Sequence, residues 1–157
     1  MLRPYQPLVI VLSGIQDPGN LGTILRSAEA FGASGVLLGE GTVSQFNSKA
    51  VRASAGSAFR LPVVAVKLEE AIPHLREAGL RLVATSSHGG TPADQANLAS
   101  PFAVFIGNEG SGLPGELMSQ MDETAAVPHA GQVESLNAAV AASILLYEAA
   151  RQRRAGI

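Results

Sequence analysis

The chain has 157 residues, 46% of them hydrophobic and 15% charged, with a net charge of −2 and no cysteine. That length suits a single domain burying its own core, and the lack of cysteine excludes disulfide scaffolds and thiolate metal sites. The near-neutral balance excludes the overall basic surface of a protein that grips nucleic acid on every side.

In chain order, the apolar run LVIVL (8–12) predicts a first strand, followed by a Gly- and Asn-rich loop over 13–22. A helix is predicted over 20–31, where Leu21, Ile24, Leu25, Ala28 and Phe31 form one stripe, with Asn20 as its N-cap and Gly32 as its stop. GVLLG (35–39) and LPVVAV (61–66) predict strands, 68–78 a helix ended by Gly79, and LRLVATS (80–86), FAVFIG (102–107) and TAAVP (124–128) three further strands. The last predicted helix, 135–153, carries Leu136, Ala139, Val140, Ile144, Leu145, Leu146 and Tyr147. These positions cover more than one stripe, so its own sheet and a partner are both expected to bury it. Alternating strands and helices predict an α/β domain over 1–157, with a mostly parallel sheet flanked by helices. Ligands in such sheets sit at the carboxyl ends of the strands, which singles out the loops 13–22, 107–115 and 128–137.

His74, His88 and His129 lie too far apart for a ligand set, so no metal is expected. No apolar run is long enough to span a bilayer and the start lacks a secretory layout, so a cytoplasmic location is expected.

The stretch IGNEGSGLPGE (106–116) matches two nucleotide patterns in part. Gly107 and Gly112 have P-loop spacing, yet Leu113 and Pro114 stand where Lys and Ser/Thr would meet phosphate and magnesium, and Glu109 would repel phosphate. Gly110, Gly112 and Gly115 have dinucleotide spacing, but no acidic residue closes the next strand. Ser111 lacks the flanking glycines of a serine-hydrolase elbow. What remains is close backbone approach and one carboxylate, which suits an uncharged adenosine beside a cation, as in S-adenosylmethionine. A plain strand-to-helix turn with Pro114 at the first helical position is the alternative.

Three segments go further: DPGNLGTILRSAEAFGASGV (17–36), FIGNEGSGL (105–113) and VPHAGQVESLNAAVAASILLYEA (127–149), with KAVRASAGSAFRLPV (49–63) between the first two. In this order they resemble the motifs of the SpoU, or TrmH-like, branch of the SPOUT RNA methyltransferases, over almost the whole chain. The resemblance implies methyl transfer from S-adenosylmethionine to a ribose 2′-hydroxyl of tRNA or rRNA, a C-terminal trefoil knot, and a homodimer through helices of the first and last motifs. The knot is not what strand and helix patterns predict, because knots are nearly absent from proteins.

The resemblance also implies residue roles. Arg26 matches the arginine proposed to help activate the ribose hydroxyl; a guanidinium does not give up its proton in proteins, so positioning or charge stabilisation fits its chemistry better. The plainer reading pairs Arg26 with Glu29 on the surface. Asn20, Glu109, Ser135 and Asn137 match the remaining reactive-centre positions; Asn20 is expected to bond Arg26, Glu109 or the substrate, Glu109 to pair with Arg26, and Ser135 doubles as a candidate N-cap. Thr85, Ser86, Ile106, Gly107, Asn108, Gly112, Val127, Pro128 and Leu136 are the expected cofactor contacts. His129 stands where relatives often carry an apolar residue and is read as loop variation. Lys49, Arg52 and Arg60, together with Arg26, are expected to meet RNA phosphates, while Arg151, Arg153 and Arg154 complement the end of the last helix. Many relatives carry a further N-terminal RNA-binding domain before the strand at Leu8. The competing classes are a non-catalytic, partner-dependent SPOUT-like binding module and, more remotely, a dinucleotide-dependent oxidoreductase.

Overall fold

A computed structural model describes residues 5–87 and 89–156; the opening four residues, His88 and Ile157 lie outside the described set. In chain order the elements are β1 (Leu8–Leu12), α1 (Pro18–Ala30), β2 (Gly35–Leu38), α2 (Ser48–Ala53), α3 (Ser57–Arg60), β3 (Val63–Ala65), α4 (Leu68–Glu77), β4 (Arg81–Ser86), β5 (Thr91–Pro92), β6 (Phe102–Ile106), α5 (Gly115–Met118), β7 (Glu123–Ala126) and α6 (Ala138–Ala155). All seven strands run parallel in one sheet, in the order β3-β2-β1-β6-β4-β7-β5. The predicted α/β class, with a parallel sheet flanked by helices, is therefore what forms.

Strand order decides where a site can lie. The chain first moves outward from β1 to β2 and β3, then returns so that β6 inserts between β1 and β4. The carboxyl ends of β1, β6, β4 and β7 are thus consecutive neighbours, and the loops that leave them crowd together at a topological switch point.

The two faces of the sheet carry separate cores. On one face, α1 and α6 pack Leu21, Ile24, Leu25 and Ala28, and Ala142, Leu145, Leu146 and Ala149, against Leu8, Ile10, Leu12, Val104 and Ile106. On the other, Leu68, Ile72 and Leu75 of α4 meet Val11, Leu82, Ala103 and Phe105. Each fully buried Leu or Ile contributes about 2 kcal/mol of transfer free energy. β6 is buried on both faces throughout, which accounts for its unbroken apolar run.

The helix starts differ from those predicted. α1 is capped by Asp17, whose carboxylate accepts the Asn20 N–H at 3.0 Å, with Pro18 opening the helix. Asn20 therefore sits inside the first turn and its amide is free for other work. α6 is capped by Asn137, whose Oδ1 accepts from the N–H groups of Ala139 and Val140 at 2.8 and 3.1 Å. Ser135 is accordingly not a cap. Pro114 precedes α5 as its cap residue instead of occupying the first helical position. The segment 48–60, read only as a connection, forms α2 and α3. Helix α2 approaches α1 so closely that a Cβ at Gly22 would lie 2.5 Å from both the Ala50 carbonyl oxygen and the Ala53 Cβ.

Helix α6 presents a second apolar row, Val140, Ile144 and Tyr147, all exposed on this chain. The Tyr147 ring meets Phe31 edge-on at 5.8 Å.

Candidate functional site

Three of these strand ends, those of β4, β6 and β7, enclose a cleft with about 770 Å³ of empty space, part of it open to solvent. Thr85, Ser86 and Ser87 line it from the end of β4, Ile106 to Gly110 with Gly112 and Leu113 from the end of β6, and Ala125, Val127, His129, Ser135 and Leu136 from β7 and the loop beyond it. Ala138, Ala141, Ala142 and Leu145 of α6 close it. The lining contains no Lys or Arg and one carboxylate, Glu109. Such a wall offers backbone groups, hydroxyls and apolar surface to a neutral or cationic ligand and no counter-charge to a polyphosphate.

The loop after β6 is tied back on itself. Asn108 and Gly112 exchange backbone hydrogen bonds at 3.2 and 2.9 Å, and the Asn108 side chain accepts from the N–H groups of Gly110 and Ser111. A Cβ at Gly107 would lie 2.3 Å from the Gly112 carbonyl carbon and the Leu113 nitrogen. Glycine is required at 107 by the loop's own closure, before any ligand is considered. Gly112 has φ +71°, a second reason for glycine in this run.

Glu109 reaches across to the loop after β1. Its carboxylate accepts from the N–H groups of Gln16 and Asp17 at 3.2 and 2.8 Å and from the Asn20 amide at 3.3 Å. Partial burial pushes this carboxyl upward, but the backbone N–H groups of Asp17, Glu109 itself and Gln16, with the Asn20 amide, outweigh it and hold its pKa below the usual range. The Asn20 Oδ1 in turn accepts from the Asn137 amide at 3.1 Å. One polar chain, Glu109–Asn20–Asn137, joins all three motif loops.

The expected Glu109–Arg26 pair does not form: backbone donors occupy the carboxylate, and Arg26 is exposed, outside the cleft lining, with no side-chain partner among the described residues. Nor does Arg26 pair with Glu29, which is held by Ser57 and Arg60. Arg60 donates to both Glu29 oxygens, so it is committed within the protein rather than free for phosphate. Lys49 and Arg52 are exposed on α2. Of the expected cofactor contacts Thr85, Ser86, Ile106, Gly107, Asn108, Gly112, Val127 and Leu136 line the cleft, and Pro128 does not. Ser135 lines it too, while Asn20 and Asn137 act behind the lining. The sequence reading missed Ser87, Leu113, Ala125 and the α6 alanines. It also set His129 aside, although that ring lies within the lining, near the carbonyls of Val127 and Val133. The small-residue run AAVAAS at the start of α6 is the signal that marks a close-approach wall.

Comparison with known proteins places this geometry. The SpoU rRNA Methylase family matches residues 7–147. The chain belongs to that family. A SpoU relative in Bacillus subtilis, the 23S rRNA (guanosine(2553)-2′-O)-methyltransferase RlmP, is 42% identical over 139 residues, covering 88% of this chain and 56% of RlmP. An uncharacterised tRNA/rRNA methyltransferase of Mycolicibacterium vanbaalenii is 43% identical, covering 94% of this chain and 47% of that protein. The chain spans about half the length of these SpoU relatives. Among solved structures, the SpoU methyltransferase AviRb from Streptomyces viridochromogenes, in complex with the cofactor AdoMet, superposes with a TM-score of 0.89 at 36% identity, covering 99% of this chain and 61% of AviRb.

Proposed function

We propose that the chain catalyses S-adenosylmethionine-dependent methylation of a ribose 2′-hydroxyl in tRNA or rRNA, as a cytoplasmic homodimer that requires no metal. The observation that carries this reading is the cleft at the switch point, which has backbone donors and one carboxylate but no phosphate-binding cation. AviRb, bound to AdoMet, and RlmP, named for 2′-O-methylation of 23S rRNA, support it. Ile106, Gly107, Val127 and Leu136 would hold the adenosine, with Thr85 and Ser86 at its rim. When bound, the cofactor supplies an electrophilic methyl on a sulfonium. The protein's share is alignment: the Glu109–Asn20–Asn137 chain fixes three loops relative to one another, so that a hydroxyl meets the methyl at near-attack distance.

Arg26 lies outside its own chain's cleft, and the exposed row Val140, Ile144 and Tyr147 offers a dimer face along α6. In the proposed dimer that face is covered and Arg26 acts at the composite edge, positioning the ribose or a phosphate. Threading of the last segment as a trefoil knot belongs to the same proposal.

Calorimetry with S-adenosylmethionine tests the cofactor assignment, and no binding at millimolar ligand would sink it. Transfer of labelled methyl to bulk RNA, lost in Arg26→Ala while cofactor binding persists, separates an enzyme from a binding module. Sedimentation showing only monomer at micromolar concentration would end the dimer assignment.

A further inference from the structure

The cations of this chain are unevenly committed. Among the described residues, Arg60, Arg76, Arg81 and Arg151 pair with carboxylates, and Arg153 and Arg154 lie over the rings of Phe102 and Tyr147. Arg26, Lys49, Arg52 and Lys67 have no such side-chain partner, and the first three of these four stand on α1 and α2. Positions 22, 26 and 29 share one row of α1. Gly22 touches α2 and Glu29 touches α3, so Arg26 emerges along the seam that α2 borders.

Beside this cluster stands Phe46, 75% exposed. It does not hang on a loose loop. Gly39 N–H donates to Leu12 O at 2.7 Å, Val43 N–H to Ile15 O at 2.8 Å, and the Thr42 hydroxyl oxygen accepts from Gly14 and Ile15. The N–H groups of Phe46 and Asn47 bond to Ser44, and Asn47 caps α2. The 39–47 loop is therefore fastened to the same β1 loop that Glu109 grips, and it displays an exposed aromatic ring three residues before Lys49, where the chain enters α2. Phe59, also exposed, differs: its neighbour Arg60 is neutralised by Glu29 towards the far end of α1.

An exposed ring on a fastened loop, close in sequence to cations, suits a strand whose bases are unstacked, because an A-form duplex presents phosphates and 2′-hydroxyls but no free base face. We infer that the 39–47 loop and α2 form a single-strand RNA-binding edge, on which Phe46 stacks one unpaired base while Lys49 and Arg52 hold the neighbouring phosphates. This rests on the methyl-transfer reading for its biological sense and names the substrate class as unpaired RNA.

Fluorescence anisotropy with labelled oligoadenylate, alone and annealed to oligouridylate, tests it on the wild-type chain and on F46A, F46W, F59A and the K49A/R52A pair. F46A is expected to weaken oligoadenylate binding on the order of tenfold, with an unchanged salt slope and melting temperature and little change for the duplex. F46W is expected to retain affinity, F59A to match the wild type, and K49A/R52A to flatten the salt dependence. Wild-type affinity in F46A, duplex preferred over single strand, or no RNA binding at all would each overturn the inference. Calorimetry with S-adenosylmethionine on the same preparations separates the two readings. Phe46-dependent RNA binding without cofactor binding removes the methyl-transfer reading and leaves the edge; cofactor binding with Phe46-independent RNA binding does the reverse.

Discussion

The cleft has two walls made of loops, and they are held in opposite ways. The 107–113 wall is braced at every turn: Asn108 bonds within the loop and, through its amide, to Gly14 O at 2.8 Å, while Glu109 collects three donors from the loop after β1 and the first turn of α1. Between Val127 and Leu136 the polar contacts among the described residues are those of the His129 ring, whose nitrogens lie 3.1 and 3.3 Å from the carbonyl oxygens of Val127 and Val133 and of which a given tautomer donates from one. Val133 is 58% exposed there, and Gly131, at φ +96°, has open space around it. The first wall is held by the protein's own hydrogen bonds, whereas the second has few of its own and belongs to the less stable part of the molecule.

The comparison breaks most severely at Gly107. Gly107→Ala forces a methyl into the Gly112–Leu113 backbone, and a loss of about 3 kcal/mol is expected, seen in denaturant unfolding together with lost cofactor binding. Glu109→Gln comes next, at about 1–2 kcal/mol, because a neutral amide accepts the Gln16 and Asp17 N–H groups more weakly. Its pH dependence has a definite sign. The native pKa of Glu109 is lowered, so its stabilisation is complete above the ordinary value of 4.5 and is lost as pH falls through the lowered value. Melting temperatures of wild type and Glu109→Gln should therefore differ at neutral pH and converge in acid. A constant gap down to the acid transition would refute the assigned role.

In the second wall the effects shrink. Gly131→Ala should cost about 1 kcal/mol from its left-handed backbone alone, with cofactor affinity nearly unchanged because nothing lies within 4 Å. His129→Ala should barely move the unfolding midpoint yet weaken cofactor binding a few-fold in calorimetry, since a loose wall becomes looser. Equal effects of Gly107→Ala and Gly131→Ala on cofactor binding would show that the walls do not differ as described.

What the sequence made legible follows from local rules. Buried strands announce themselves by unbroken apolar runs such as 102–106, and α1 by its stripe. Caps were misread because several residues competed: Asp17-Pro18 is the stronger helix opening than Asn20, and Asn137 won over Ser135 by reaching two N–H groups. The short helices α2 and α3 carry no long period to read. Of the donors to Glu109 only the Asn20 amide was legible, because the other two are backbone N–H groups more than ninety positions away, and backbone donors leave no trace in residue identity. The arginine pair assigned by resemblance failed for the same reason.

Gln152, buried near the end of α6, donates from its amide to Ala93 O and Ala96 O and accepts from Leu98 N–H at 2.8 Å. One side chain thus serves the 93–98 segment as an adjoining strand would. Helix α6 follows the 93–98 segment and the cleft loops in chain order, so on a growing polypeptide those three backbone groups wait for it, as do the cleft positions supplied by Ala138, Ala141, Ala142 and Leu145. The ligand site and the 93–98 segment thus draw on one helix, and a chain lacking that helix would lose the contacts of both.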